Sequence, residues 1–182
     1  MNYSLAYACK SDTGKLRTHN EDYVAVLDVE RVFVIADGMG GHTMGELASK
    51  LAVTHFCSSY KRMKDENVKK RITESILSAN VHVYETAQKN EKYKGMGTTM
   101  VCAAFYDTSI CIAHVGDSRL YRLRNNTLQC LTRDHSLLES YKDAYPNLTM
   151  EEELHFNRTN VLTRAIGVQR SVSVEVDVKK IQ

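Results

Sequence analysis

Asp37 closes an apolar run, Phe33-Val-Ile-Ala-Asp-Gly-Met-Gly-Gly, and a carboxylate at such a place needs a physical reason. Withdrawn from water, it is costly unless it is hydrogen-bonded or holds a cation. An Asp-Gly turn at a strand end is one explanation. Gly38, Gly40 and Gly41 offer another, because backbone without side chains can turn a carbonyl directly onto a ligand. Hard cations such as Mg²⁺ and Mn²⁺ take such oxygens, carboxylate plus carbonyl plus water. The glycines fit neither common phosphate loop. A dinucleotide G-x-G-x-x-G starting at Gly38 needs glycine where Thr43 stands, and no Gly-Lys-Ser/Thr follows for a nucleotide loop.

Other acids occupy similar places. In Arg17-Thr-His-Asn-Glu-Asp-Tyr, Glu21 and Asp22 lead into an apolar arm, with Arg17 just upstream. Alone these are ordinary solvated loop residues. If the loop abuts Asp37, Glu21 is placed to orient water on a cation, and Arg17 to grip a phosphoryl oxygen with its fork of donors. Asp117 follows Gly116 in His-Val-Gly-Asp-Ser-Arg, in a turn between two strand-like runs.

The elements that position these residues are legible from periodicity. Val24 to Leu27 and Val32 to Ala36 read as a hairpin with a turn at Asp28 to Glu30. From Glu46 the period becomes helical, with Ala48, Ala52, Phe56, Ser59 and Met63 on one face. A second helix carries Val68, Ile72, Ile76, Ala79, Val83 and Ala87. Strands return in "TTMVCAAFY" and "SICIAHVGD", and Asn125-Asn126 is a hairpin turn between "RLYRL" and "TLQCL". "TRDHSLL" starts a helix with Asp134 or Ser136 as cap. Lys142 to Arg158 is a polar flap or short helix, and Ser171 to Val178 alternates as a final strand. Strands, two long helices, then strands joined by tight turns predict an α+β fold with antiparallel sheets and helices layered on them.

Six segments in this order, "RTHNED", "FVIADGMGGHTMGELAS", "GMGTTMV", "AHVGDSRLY", "LTRDHS" and "NVLTRAIG", closely resemble the bacterial type 2C protein phosphatases of the metal-dependent (PPM) family. The resemblance runs from about Ala6 to Val178. It implies a four-layer αββα sandwich of two antiparallel sheets flanked by helices. It also implies hydrolysis of phosphoserine and phosphothreonine in proteins at a centre of two Mn²⁺ or Mg²⁺ ions, with a third, weaker site. Asp37 is then expected to bridge two ions, the Gly38 carbonyl to bind one, and Glu21 to act through water. Asp22 becomes an outer-shell partner, Arg17 the phosphate grip, and Asp117 a ligand of the third ion. Direct attack by activated water requires no phosphoenzyme, so Cys102 and Cys111 are expected to be core residues. The general acid stays open: Met39 stands where some relatives carry histidine, and His42 and His19 are weak candidates.

The family pattern continues into a Ser-Asp-Gly segment and then an Asp-Asn pair, neither of which this sequence contains. The expectation is one phosphatase-like domain over residues 1–182, C-terminally incomplete and missing its last strands. Three accounts stand side by side: a truncated phosphatase, a catalytically impaired binding or regulatory module, or a site completed by a second chain. Fewer anionic ligands weaken binding of hard cations, and unpaired sheet edges favour self-association.

Composition narrows the rest. A length of 182 residues suits one domain, and 43% hydrophobic with 25% charged residues is ordinary for a globular chain. The net charge of +2 comes with scattered basic residues, and the patch Lys61–Lys64 with Lys69–Arg71 reads as solvated helix ends rather than a nucleic-acid surface. Five cysteines without metal-site spacing, no signal-like N-terminus and no apolar run near the roughly 20 residues of a membrane helix predict a cytoplasmic domain. The expected partners are phosphorylated proteins, targets of serine/threonine kinases.

Overall fold

The computed structural model describes residues 4–181, with the backbone alone described at His42 and Thr43. Strands β1 (Asp22–Leu27) and β2 (Val32–Met39) form an antiparallel hairpin whose register places Asp22 opposite Asp37. The residues of β2 alternate: Val32, Val34 and Ala36 are fully buried, whereas Ile35 and Asp37 face outward.

Helix α1 (His42–Arg62) begins earlier than the apolar period suggests, directly after Gly41 at φ 84°, with no side-chain cap. Its first turn contains Gly45, a weak helix former, and this hid the true start from the sequence. Helix α2 (Val68–Gln88) is capped by Asn67, whose side chain accepts from the Lys70 N–H at 3.0 Å. Both predicted faces are buried: Ala48, Ala52 and Phe56 from α1, and Ile72, Ile76, Ala79 and Val83 from α2. Full burial of each large apolar side chain contributes about 1.5–3 kcal/mol. This makes the helix pair, laid on one face of the sheet, the main source of cohesion.

Strands β3 (Gly97–Thr98), β4 (Met100–Tyr106) and β5 (Ser109–Val115) follow. Next come β6 (Tyr121–Arg124) and β7 (Thr127–Cys130), turned by Asn125 and Asn126 at φ 48° and 58°. Both residues are left-handed, as a two-residue turn of the primed type requires. Ser136 caps α3 (Leu137–Ala144), so of the two proposed caps it is the serine that acts. Helix α4 (Met150–Leu154) carries a capping box between Thr149 and Glu152 inside the polar flap.

The main sheet runs β1-β2-β4-β5-β8 with β3 on β2, every pairing antiparallel, and β6-β7 form a separate two-stranded sheet. This is the expected α+β arrangement of two antiparallel sheets with helices. On the sheet face away from α1 and α2, Phe33 and Phe105 meet edge to face at 5.8 Å. With Tyr7, Leu120 and Leu131 they line a groove of about 390 Å³ between the main sheet and β6-β7. Strand β8 (Glu175–Lys180) starts later than its alternating sequence, because ladder pairing with β5 begins only at Glu175 opposite His114. Val172, Val174 and Val176 still lean half-buried on the core. Cys102 and Cys111 are buried and unbonded, as expected of core residues. Among the described residues, no helix is long and apolar enough to cross a membrane.

Candidate metal centre

The hairpin register sets two carboxylates side by side at the end of the main sheet, Asp22 on β1 and Asp37 on β2. A third arrives from the turn after β5, where Gly116 at φ 103° swings the chain into Asp117. Asp37 and Asp117 line one cleft of about 940 Å³ together with Arg17, Gly38 and Thr99. The far wall of this cleft is the 160–173 segment, including Asn160, Arg164, Gln169 and Ser173. Glu21 lines a neighbouring recess that shares Arg17, Gly38 and Met39 with the cleft. The structure therefore brings together all six residues singled out from the sequence, with Glu21 in the recess that Gly38 shares with the main cleft.

Crowding is visible in the acid strength of Asp37. Its carboxyl is pushed up to about 6, first by withdrawal from solvent, then by repulsion from Asp22 and a hydrogen bond shared with it. Repulsion from Asp117 adds to this, and Arg17 opposes it. A carboxylate whose ionisation is made costly by two acidic neighbours marks a site that a cation relieves. The donors are oxygens only, which suits a hard divalent ion. By that measure the residues present fit Mg²⁺ or Mn²⁺.

The backbone of Asp37 is held with unusual completeness by the Thr98-Thr99 pair. The Asp37 N–H donates to Thr99 Oγ1 at 3.0 Å, while its carbonyl accepts from Thr98 Oγ1 at 2.8 Å and from the Thr99 N–H at 2.9 Å. Having accepted from Asp37, the Thr99 hydroxyl is free to donate to Ser118 Oγ at 2.6 Å, one residue beyond Asp117. A pair of hydroxyls thus connects the two acid-bearing turns.

The glycines have a further task that the sequence did not disclose. A Cβ on Gly38 would lie 1.9 Å from the carbonyl oxygen of Gly45, and one on Gly45 would lie 2.8 Å from Glu21 Oε2. Gly38 and Gly45 let the end of β2 and the first turn of α1 touch backbone to backbone, with the buried Glu21 side chain packed beside them. Arg17, 69% exposed at the cleft mouth, donates through Nη1 to Glu21 Oε2 at 3.0 Å. The remaining guanidinium N–H groups leave capacity for phosphoryl oxygens.

The far wall is tied down from inside the helix layer. Fully buried Asn80 of α2 accepts from the Gly167 N–H at 2.8 Å and donates Nδ2 to the carbonyls of Gln169 and Arg170, each at 3.0 Å. Thr98 and Ile166 exchange two backbone bonds across the same junction. Asp134, just before α3, and Asp143, within it, line neither the cleft nor the recess and are held by arginines. Asp134 receives a two-pronged contact from Arg119 at 2.8 and 2.6 Å, and Asp143 pairs with Arg133 at 2.7 Å. Of the histidines raised as proton donors, the side chain of His42 lies outside the described residues.

Sequence reading missed Thr98, Thr99, Gly45, Asn80 and His135. "GMGTTMV", "TRDHS" and "FVIADGMGGHTMGELAS" contain four of these five positions, but only as letters of matching strings; the bonds to Asp37, Gly116 and Gly167 cross long stretches of chain.

Comparison with known proteins agrees with this geometry. A family model described as protein phosphatase 2C matches residues 15–169. The chain is 36% identical over 180 residues to serine/threonine phosphatase stp of Listeria welshimeri, covering 95% of this chain and 71% of that protein. Its fold superposes on the crystal structure of serine/threonine phosphatase Stp1 from Staphylococcus aureus with a TM-score of 0.83 at 33% identity, covering 93% of this chain and 68% of that one. It also matches the catalytic domain of the serine threonine protein phosphatase PstP, solved in complex with two manganese ions, with a TM-score of 0.77 at 26% identity over 94% of this chain and 71% of that one.

Proposed function

The chain belongs to the protein phosphatase 2C family and is a protein serine/threonine phosphatase, and from that premise we propose that Asp37, Gly38 and Asp117 hold its divalent ions, with Asp22 as an outer-shell partner. Manganese or magnesium is the proposed metal, two ions about Asp37 with a third, weaker one at Asp117. The relative solved with two manganese ions supports the metal and the number. Bound ions of this class supply Lewis-acid activation of water and offset charge growing on the phosphoryl oxygens.

The observation that carries the reading is the convergence of Asp37 and Asp117 on a cleft whose mouth holds Arg17, with Asp22 set beside Asp37 on the neighbouring strand. The chain's own contributions are binding and orientation. Asp37 offers its carboxylate from a backbone fixed by Thr98 and Thr99. Arg17, pivoting on Glu21, meets the phosphoryl group at the opening with a planar fork of donors. Glu21, buried behind Gly38, orders water at the inner side of the centre. The 160–173 wall frames the peptide around the phosphorylated residue.

Substrates under this reading are phosphoserine and phosphothreonine proteins, the products of serine/threonine kinases, met in the cytoplasm. The chain spans 71% of the Listeria relative and 68% of the Staphylococcus structure named above. Strands β1 and β8 are the outer strands of the main sheet among the described residues, and they supply edges for self-association.

The test is phosphate release from a phosphothreonine peptide with and without Mn²⁺, comparing the natural chain, Asp37→Ala and Arg17→Ala. Manganese-dependent turnover that Asp37→Ala abolishes, and that Arg17→Ala weakens chiefly through KM, is expected. Turnover indifferent to Asp37→Ala would overturn the assignment.

A further inference from the structure

The turn that presents Asp117 is gripped by a buried histidine outside the carboxylate set. His135 holds Gly116 at both of its backbone groups. The His135 N–H donates to the Gly116 carbonyl at 3.0 Å, and the Gly116 N–H donates to His135 Nδ1 at 3.1 Å. Because Nδ1 accepts, the proton of the neutral ring belongs on Nε2. Nε2 lies 3.2 Å from Glu175 Oε2 at the start of β8, and the carboxylate accepts that proton's hydrogen bond. His114 stacks on the ring at 4.5 Å and 16°, its own Nε2 donating to the Arg133 carbonyl at 2.7 Å.

His114, His135 and Glu175 place their donor atoms within 4.8 Å of one another, the arrangement of a metal site. Two features argue against a cation there. A metal-bound imidazole donates from its second nitrogen, whereas His135 Nδ1 accepts. The Arg164 guanidinium, a fixed positive charge, also stands 3.2 Å from Nε2 and would repel a cation there.

We propose instead that Glu175 and His135 form a positioning pair: Glu175 fixes the ring tautomer, the tautomer keeps an acceptor on the Gly116 N–H, and that bond sets the Asp117 carboxylate for its ion. The inference rests on the reading of Asp117 as a cation ligand. It concerns a residue that acts through the backbone and touches neither substrate nor ion.

Two isosteric replacements separate the ring's two nitrogens. His135→Asn puts an amide oxygen where Nδ1 is, and His135→Gln reaches instead toward the Nε2 position. In the metal-free protein, Gly116 amide exchange should stay slow in the natural chain and His135→Asn and accelerate about tenfold in His135→Gln, the span of one lost hydrogen bond. Mn²⁺ affinity at the Asp117-dependent site, read by calorimetry, should follow the same order. Glu175→Ala should speed exchange in the natural chain yet be silent beside His135→Asn, which has no tautomer to fix; a merely structural role for β8 would act in both backgrounds.

Asp117→Asn serves as the control. If it removes one class of Mn²⁺ site while His135→Asn and His135→Gln behave alike, the positioning inference alone is overturned. If it leaves Mn²⁺ binding unchanged, the reading of Asp117 falls and the inference with it. Equal effects of Glu175→Ala in both backgrounds likewise overturn the pair.

Discussion

Thr99→Val is the substitution that most directly probes how Asp37 is held. Valine matches threonine in shape, so packing at this buried position (3% exposed) is preserved while the hydroxyl is lost. That hydroxyl accepts from the Asp37 N–H at 3.0 Å and bonds Ser118 Oγ at 2.6 Å. Two hydrogen bonds worth about 0.5–1.5 kcal/mol each disappear, and an inward-facing N–H left without a partner costs about 1–3 kcal/mol in place of one of them. A net loss of roughly 2 kcal/mol follows, equivalent to a fall in Tm of about 4–8 °C for a chain of this size. The assay is urea and thermal unfolding in EDTA, so that no ion contributes, with Thr99→Ser as the control that restores the hydroxyl. Mn²⁺ affinity should drop in Thr99→Val beyond the change in stability, because the same hydroxyl joins the Asp37 strand to the Asp117 turn. Thr99→Val unfolding at the natural midpoint, or Thr99→Ser losing as much, would refute the reasoning.

Other expectations follow from the same geometry. Asp37 has its folded pKa raised from 3.8 to about 6, so the metal-free fold is favoured by its protonation. That contribution is complete below about pH 4 and lost as pH rises through about 6. Asp37→Asn should therefore flatten the stability profile between those limits in EDTA, and a natural chain whose Tm shows no such fall across the window would contradict the crowding. Protons compete for the same oxygens, so Mn²⁺ affinity should weaken as pH drops through about 6. Gly38→Ala forces a Cβ to 1.9 Å from the Gly45 carbonyl and should destabilise by about 3 kcal/mol or more, whereas Gly41→Ala, with open space at its Cβ, carries only the cost of its positive φ. Asn80→Leu removes three bonds to the 167–170 turn and should loosen that wall, raising KM for peptide more than it lowers kcat; an unchanged KM would show that the wall does not touch substrate.

The parts of this fold legible in sequence are those governed by local rules. Asn125-Asn126 announced its turn because two left-handed residues are needed there. The faces of α1 and α2 announced themselves through their period. Asp37, Glu21, Asp22 and Asp117 were visible as acids at strand ends, and Arg17 as a cation beside them. Hidden were features that depend on chain segments meeting. Gly45 reads as a flaw in a helix until Gly38 is seen against it. Asn80 sits beside Ala79 on the buried side of α2, and its purpose lies in residues 167–170. Ser171 to Ser173 alternate like a strand, but β5 offers β8 no ladder pairing before Glu175. His135 looked like one letter of a matching string, and its grip on Gly116 exists only in the folded chain.

The most direct test of the account is a count of Mn²⁺ ions bound by the natural chain and by Asp37→Ala, using the electron paramagnetic resonance signal of free Mn²⁺ near neutral pH. Saturable binding in the natural chain that Asp37→Ala removes, with Asp117→Asn losing only the weaker class, is the predicted result. Equal binding by the natural chain and Asp37→Ala would mean that the acids at the end of the main sheet are not the metal centre.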